Sequence, residues 1–265
     1  MPVISVLMGI YNCERTISGA IESIRNQTFR DWELILCDDA STDSTAEIAE
    51  SFCRKDPRIR LIRNDNNKKL SFTLNRCFSL ASGEFCARMD GDDLCSPDRF
   101  SIQLKFLQKH PEYSFTTTVM KRFDEKGIWY DPEISDGFEP GRNDLIKGSP
   151  FCHATMVIRK SALAAINGYR VLSETEGTED YDLWFRLYAA GFRGYVIGLP
   201  LYQMFDGKAA EKRRTFRRRL NEARIRFQGY RLLKIPIPLR IYLLKPFIAW
   251  LTPSMVRKQR SFRKK

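Results

Sequence analysis

Arg88-Met89-Asp90-Gly91-Asp92-Asp93 follows directly on the run Glu84-Phe85-Cys86-Ala87. If that run is a buried strand, three carboxylates emerge together at its C-terminal end, where like charges repel unless a cation is bound. Hard oxygen ligands in a tight turn suit Mg²⁺ or Mn²⁺, and both ions commonly bridge a protein carboxylate to a diphosphate. The cluster therefore reads as a metal–diphosphate site, with a plain polar loop as the alternative.

Two more strand ends carry distinctive residues. Residues 3–10 form an apolar β-type run that ends in Gly9-Ile10-Tyr11-Asn12, and residues 32–37 run into Asp38-Asp39. In an open α/β sheet, ligands bind outside the carboxyl ends of the strands. A nucleotide fits this set. Tyr11 offers a face for a base, Asp39 can accept from a base N–H or from ribose hydroxyls, and Asp90 and Asp92 can hold a metal on the diphosphate. The first turn has a single glycine, Gly9, so it is neither G-x-G-x-x-G nor a P-loop, which argues against a dinucleotide cofactor and a P-loop NTPase.

The elements that would carry these residues alternate. Helical spacing over 14–26 puts Ile17, Ala20, Ile21 and Ile24 on one face. A helix from 44, with Asp43 or Thr42 as its cap, precedes a short strand at 58–63. A helix at 70–80 leads to a strand at 85–89, and Ser96-Pro97 supplies a cap and a first-turn proline for a helix to 109. Strands at 113–120, 128–130, 151–158 and 195–201, and helices at 161–166 and 179–190, complete the pattern, with a hairpin turn at 124–127. Alternation of this kind predicts a mostly parallel sheet flanked by helices.

Five segments in this order resemble the family 2 glycosyltransferases: Ile4 to Asn12, Gln27-Thr28-Phe29, Asp38 to Asp43, Arg88 to Asp93, and Glu179-Asp180-Tyr181-Asp182-Leu183-Trp184. The resemblance spans about residues 3 to 205. It implies a GT-A fold, a nucleotide-sugar donor (most often a UDP-sugar), a divalent metal, and inversion at the anomeric carbon. Carried over by motif, Tyr11 and Asp39 contact the uridine with Glu14 nearby, and Asp90 and Asp92 form the D-x-D element, Asp92 being the direct metal ligand. Asp180 is the general base. Glu179, Trp184, Arg88 and His153 belong to the vicinity of the active site, Trp184 as a wall of the acceptor pocket or as core. Many relatives carry a glycine where this chain has Lys69, so a different loop conformation is expected there.

Charge divides the chain. Residues 210–265 hold 18 Lys/Arg against Glu211 and Glu222, a net +16; of 44 bases and 32 acids in all, this leaves 26 bases against 30 acids, net −4, for residues 1–209. A catalytic domain over 1–209 and a basic amphipathic tail over 210–265 are the expected units. Residues 235–253 are apolar but interrupted by four prolines, Arg240 and Lys245, which suits a segment lying on an anionic leaflet better than one crossing it. Long aliphatic stretches argue against nucleic acid as the partner. Seven cysteines without a C-x-x-C pair, behind an N-terminus lacking signal-peptide architecture, point to reduced thiols in a cytoplasmic protein on the inner face of the membrane.

The leading expectation is a metal-dependent, inverting glycosyltransferase that acts on a glycan or lipid-linked glycan in cell-surface polysaccharide synthesis. The alternatives are a non-catalytic nucleotide-sugar-binding scaffold at the membrane and a sugar-1-phosphate nucleotidyltransferase, although the latter normally has a glycine-rich phosphate loop.

Overall fold

A computed structural model describes residues 1–206 and 215–251 of the protein. The first half alternates as β1 (Ile4–Ile10), α1 (Ile17–Arg25), β2 (Trp32–Asp38), α2 (Thr45–Cys53), β3 (Ile59–Arg63), α3 (Lys69–Leu80), β4 (Phe85–Arg88), β5 (Leu94–Cys95) and α4 (Arg99–Lys109). The second half runs β6 (Phe115–Asp124), β7 (Gly127–Tyr130), α5 (Arg142–Lys147), β8 (Val157–Arg159), α6 (Lys160–Ala165), α7 (Glu179–Ala189), β9 (Gly194–Phe205), α8 (Phe216–Leu232) and α9 (Lys245–Leu251).

Strand side chains alternate between two cores. Ile4, Val6 and Met8 of β1 join Leu34 and Leu36 of β2 on one face, while Leu7, Ile35 and Cys37 point to the other. Burial on both faces is what a parallel sheet covered by helices requires. The first face packs against α1, α2 and α4, and the Ile17, Ala20, Ile21 and Ile24 stripe is fully buried there as its spacing predicts. α3, α6, α7 and α8 cover the second face.

The sheet order is β3-β2-β1-β4-β8-β6-β9-β5, with β7 hairpinned onto β6. β3, β2, β1 and β4 are parallel, so their carboxyl ends align along one edge; Ile10 pairs with Asp38 and Leu7 with Arg88. β8 is antiparallel to β4 and β6, which makes the sheet mixed, and β9 runs parallel to β6.

Tertiary contacts reshaped three expected elements. α4 begins at Arg99 rather than at Ser96-Pro97, because the Ser96 N–H donates to Leu201 O (3.0 Å) where the short strand β5 pairs with β9. Residues 151–158 do not form one strand. A 3₁₀ turn at His153–Thr155 precedes β8; the carbonyls of Ala154 and Thr155 accept from the buried Arg99 and Gln103 of α4, while Met156 O accepts the Arg88 N–H of β4 (2.8 Å) as well as Arg99. β9 extends to Phe205, past the expected end, since β6 and β5 flank it on both sides.

Much of the basic C-terminal region lies on the body. Asn221, Glu222, Ile225, Arg226, Gly229 and Tyr230 form the buried stripe of α8, at the spacing of a single helix face. Lys212, Arg213, Arg214 and the bases of 257–265 lie outside the described residues. All seven cysteines are free thiols. Among the described residues, no helix is long and apolar enough to cross a membrane.

The α8 seat is tight. A methyl group on Gly229 would stand 2.2 Å from the Phe185 ring of α7. Alanine favours a helix over glycine by about 1 kcal/mol, but overpacking a filled interface costs about 1–3 kcal/mol. Gly229→Ala is therefore expected to lower the thermal midpoint, and a raised midpoint would mean that α8 is not seated there.

Candidate active site

The aligned ends of β1 and β2 are stapled loop to loop. Asn12 N–H donates to Ser41 Oγ (3.0 Å), Cys13 N–H to Thr45 Oγ1 (2.7 Å) and Glu14 N–H to Asp43 Oδ2 (3.2 Å). In return, Asn12 Oδ1 accepts from Thr42 N–H (2.9 Å) and Glu14 Oε2 from Ser44 N–H (3.1 Å). Asn12 sits at φ +48°, a left-handed conformation that asparagine tolerates. This staple leaves Tyr11 48% exposed on the wall of a cavity of ≈ 680 Å³, whose lining includes Gly9, Ile10, Glu14, Asp90 and Asp92.

A second cavity, of ≈ 440 Å³, shares Asp90, Asp92 and Phe205 with the first. Its other walls include Asp180 and Tyr181 of α7 and Arg218, Arg219 and Glu222 of α8. The acidic turn after β4 thus stands between a chamber with an exposed aromatic ring and a chamber with a half-buried carboxylate.

Each acid of the turn has its own surroundings. Asp90 is clamped by the buried Arg88, with Nη1 to Oδ2 at 2.6 Å and Nη2 to Oδ1 at 2.5 Å. Burial opposes the charge of Arg88, but the Asp90 carboxylate more than offsets this and its pKa is raised. Asp93 is buried and accepts the Phe205 N–H (2.7 Å), tying the turn to β9; burial first, then Asp90 and Asp92, push it well above the usual carboxylate range. Ligand oxygens of Asp90, Asp92 and Asp93 lie within 4.8 Å of one another. A carboxylate has about four acceptor positions, so Asp90 retains capacity beyond Arg88, and three hard oxygen donors at this spacing fit a Mg²⁺ or Mn²⁺ ion.

The other expected residues divide. Asp180 lines the second cavity, in the first turn of α7. Burial raises its pKa, with Arg218 acting in the opposite sense. Glu179 is also raised by burial and accepts the Gly177 N–H (3.0 Å), shaping the turn before the helix. Asp39 lines neither cavity; it is buried and accepts from Asn64 Nδ2 (2.7 Å), Lys68 N–H (2.7 Å) and Lys69 N–H (2.9 Å), donors at and before the start of α3. Lys69 itself sits at φ +71°, so the loop keeps a glycine-type conformation despite its lysine.

Trp184 is core, not pocket wall. It is fully buried and stacks on Phe115 at 5.1 Å, since one helical turn beyond Asp180 faces the sheet. His153 lines neither cavity. Its Nε2 is 2.8 Å from Tyr169 Oη, and burial, then the nearby Arg88, lower its pKa well below the histidine range and keep the ring neutral. Charge counting over the C-terminal region did not single out Arg218, Arg219 or Glu222, and Phe205 had no motif around it. Asp93 did carry a signal, its place in the acidic cluster.

Fold and site together define a GT-A glycosyltransferase: a mixed, mostly parallel sheet with an acidic turn at the carboxyl end of its fourth strand. The family model for Glycosyl transferase family 2 matches residues 5–166, and the chain belongs to that family. The Bacillus subtilis (strain 168) protein EpsE, which carries a glycosyltransferase name, is 45% identical over 256 residues, covering 96% of this chain and 91% of EpsE. WfaP of Escherichia coli, a UDP-Glc:alpha-D-GlcNAc-diphosphoundecaprenol beta-1,3-glucosyltransferase, is 28% identical over 196 residues, 73% of each chain. Among solved structures, S. aureus TarS 1-349 in complex with UDP-GlcNAc superposes with a TM-score of 0.70 at 18% identity, covering 95% of this chain and 82% of that one.

The raised pKa of Asp180 has a stability consequence. A carboxylate harder to ionise when folded destabilises the protein above its folded pKa, and the penalty vanishes below its unfolded value of about 3.9. Asp180→Asn is therefore expected to have a higher urea midpoint than wild type at pH 7, with the gap closing toward pH 4. A wild type more stable than the variant at pH 7 would contradict the burial of this charge.

Proposed function

We propose that the protein is an inverting, divalent-metal-dependent glycosyltransferase that moves a sugar from a nucleotide-sugar, a UDP-sugar, to a hydroxyl of a glycan or lipid-linked glycan during cell-surface polysaccharide synthesis. The observation that carries this reading is the shared wall: Asp90 and Asp92 face both cavities, with Tyr11 in one and Asp180 in the other. The UDP-GlcNAc complex of TarS and the UDP-Glc donor in the name of WfaP support the choice of donor.

In this reading the base stacks on Tyr11 beside Gly9 and Ile10, and Glu14 is within the same chamber. Asp39 serves the nucleoside site indirectly, by fixing the loop before α3. Asp90 and Asp92 hold the ion, Asp92 more directly because Arg88 already engages Asp90. Bound there, a divalent cation supplies Lewis-acid stabilisation of the departing diphosphate. Asp180 takes the proton of an acceptor hydroxyl as that oxygen bonds to the anomeric carbon. The bond from that carbon to the diphosphate oxygen breaks on the opposite face, which inverts the centre. Desolvation of Asp180 raises its basicity toward the working pH, as a general base requires.

The same reading places the enzyme at the inner face of the cell membrane, held by its surface. Ile237, Ile241 and Leu244 of the 3₁₀ segment Ile237–Leu244 and Ile248 of α9 are 77, 68, 55 and 61% exposed, while Leu239, Tyr242 and Leu243 between them pack on the core. On α8 the exposed positions include Arg217, Arg224, Phe227 and Arg231. Apolar residues with interleaved bases suit an anionic headgroup layer.

Two experiments test these statements. With a UDP-sugar, Mn²⁺ and membrane-extract acceptors, Asp180→Asn should keep UDP binding and lose transfer by about 10²–10⁴-fold, whereas Asp92→Ala or a chelator should weaken the metal-supported binding itself; unimpaired transfer by Asp180→Asn would remove the base assignment. Separately, wild type should sediment with vesicles containing phosphatidylglycerol but not with pure phosphatidylcholine, and the pair Ile241→Asp and Leu244→Asp should lose the binding. Equal sedimentation of variant and wild type would exclude that face.

A further inference from the structure

We infer that Arg218, with Arg219 beside it, forms an anion subsite for a phosphate group carried by the acceptor, an inference that rests on the glycosyl-transfer reading above. Both arginines sit in the first turns of α8 and line the cavity of Asp180, but not the cavity of Tyr11. Nε of Arg218 donates to Gly177 O at 2.8 Å. Its terminal nitrogens have no hydrogen-bond or ion-pair partner among the described residues. Arg219 Nη1 donates to Glu222 Oε2 (2.8 Å), while its buried Nε has no partner among the described residues.

Three of the acids that line this cavity are engaged with other cations, and Asp180 feels the Arg218 charge without a hydrogen bond or ion pair to it. Asp90 is paired with Arg88, Asp206 with Arg122, and Glu222 with Arg219 and Arg226. Arg218 therefore brings to this wall a positive charge that is bonded to Gly177 O and to no carboxylate among the described residues, and that acts on Asp180 only through space. A guanidinium offers a planar fork of N–H donors that matches phosphate oxygens two at a time. A sugar phosphate also fits the ≈ 440 Å³ chamber, a size within the range of small-molecule sites.

The position selects the acceptor over the donor as the source of the phosphate. The nucleoside chamber touches this one only through Asp90, Asp92 and Phe205, so the donor's diphosphate belongs to that junction. Arg218 stands with Asp180 beyond it, on the side from which the acceptor hydroxyl is deprotonated.

The test uses the full chain loaded with Mn²⁺ and UDP, so that the donor site is filled. N-acetylglucosamine 1-phosphate and the neutral methyl N-acetylglucosaminide are then titrated into wild type, Arg218→Gln and Arg218→Lys, with UDP affinity measured first in each. Expected are tighter binding of the phosphate probe than of the neutral one to wild type, a loss of the phosphate probe of roughly tenfold or more in Arg218→Gln, partial recovery in Arg218→Lys, and equal UDP affinity throughout. A fall in UDP affinity in Arg218→Gln would assign the guanidinium to the donor diphosphate and overturn the proposal. Equal losses for the phosphate and neutral probes would reduce Arg218 to a prop for the Gly177 turn, and would overturn it as well. Failure of wild type to bind UDP would overturn the reading beneath the proposal, and is distinguishable because it appears before any sugar is added.

Discussion

Two guanidiniums held behind the acidic turn are the constraint on which the site depends. Arg88 lies buried against Asp90 in a two-pronged pair, and Arg99, fully buried, donates to the Arg88 carbonyl at 2.8 Å and sits over the Tyr202 ring at 5.0 Å. Arg99 has no ion-pair partner among the described residues and is held by carbonyls, Gln103 and π faces. Removing one member of a buried ion pair typically costs about 3–5 kcal/mol, so the turn and its counter-charges stand or fall together. Positive charge at the back also lowers the repulsion among Asp90, Asp92 and Asp93 without using up every acceptor position that faces the cavities.

The same arginines organise structure at a distance. Arg99 and Gln103 satisfy the carbonyls of Ala154 and Thr155 where the chain makes its 3₁₀ turn, and Met156 O, shared between Arg99 and the Arg88 N–H, returns it to the sheet. The turn sets His153 near Arg88, where burial and that charge keep the imidazole neutral. Asp93 acts in the opposite direction along the chain, anchoring the end of β9 through the Phe205 N–H and so drawing Phe205 into the wall common to both chambers.

The C-terminal region has two roles set by its faces. The buried stripe of α8 seats against α7, and its first turns carry Arg218, Arg219 and Glu222 to the chamber of Asp180. Asn221 Nδ2 donates to Ser173 O and Arg218 Nε to Gly177 O, so the loop that leads into the Asp180 helix is held from α8. Exposed bases and apolar residues occupy the remaining surface. A count of charge over the whole stretch averages these faces together, and that is why it described a surface and missed a wall.

By itself the sequence determined the alternation of strands and helices, the parallel half of the sheet, and the placing of Tyr11, Asp90, Asp92 and Asp180 at element ends, because apolar period and end position are local properties. The motifs and their order also identified the family. Only the tertiary structure decided what each side chain faces. Asp39 is turned to the free N–H groups before and at α3, Trp184 to the core, and Arg218 to the chamber of Asp180. Those choices rest on partners 29 to 69 residues away, whose positions follow from the packing of the two cores and leave no trace in residue type or spacing.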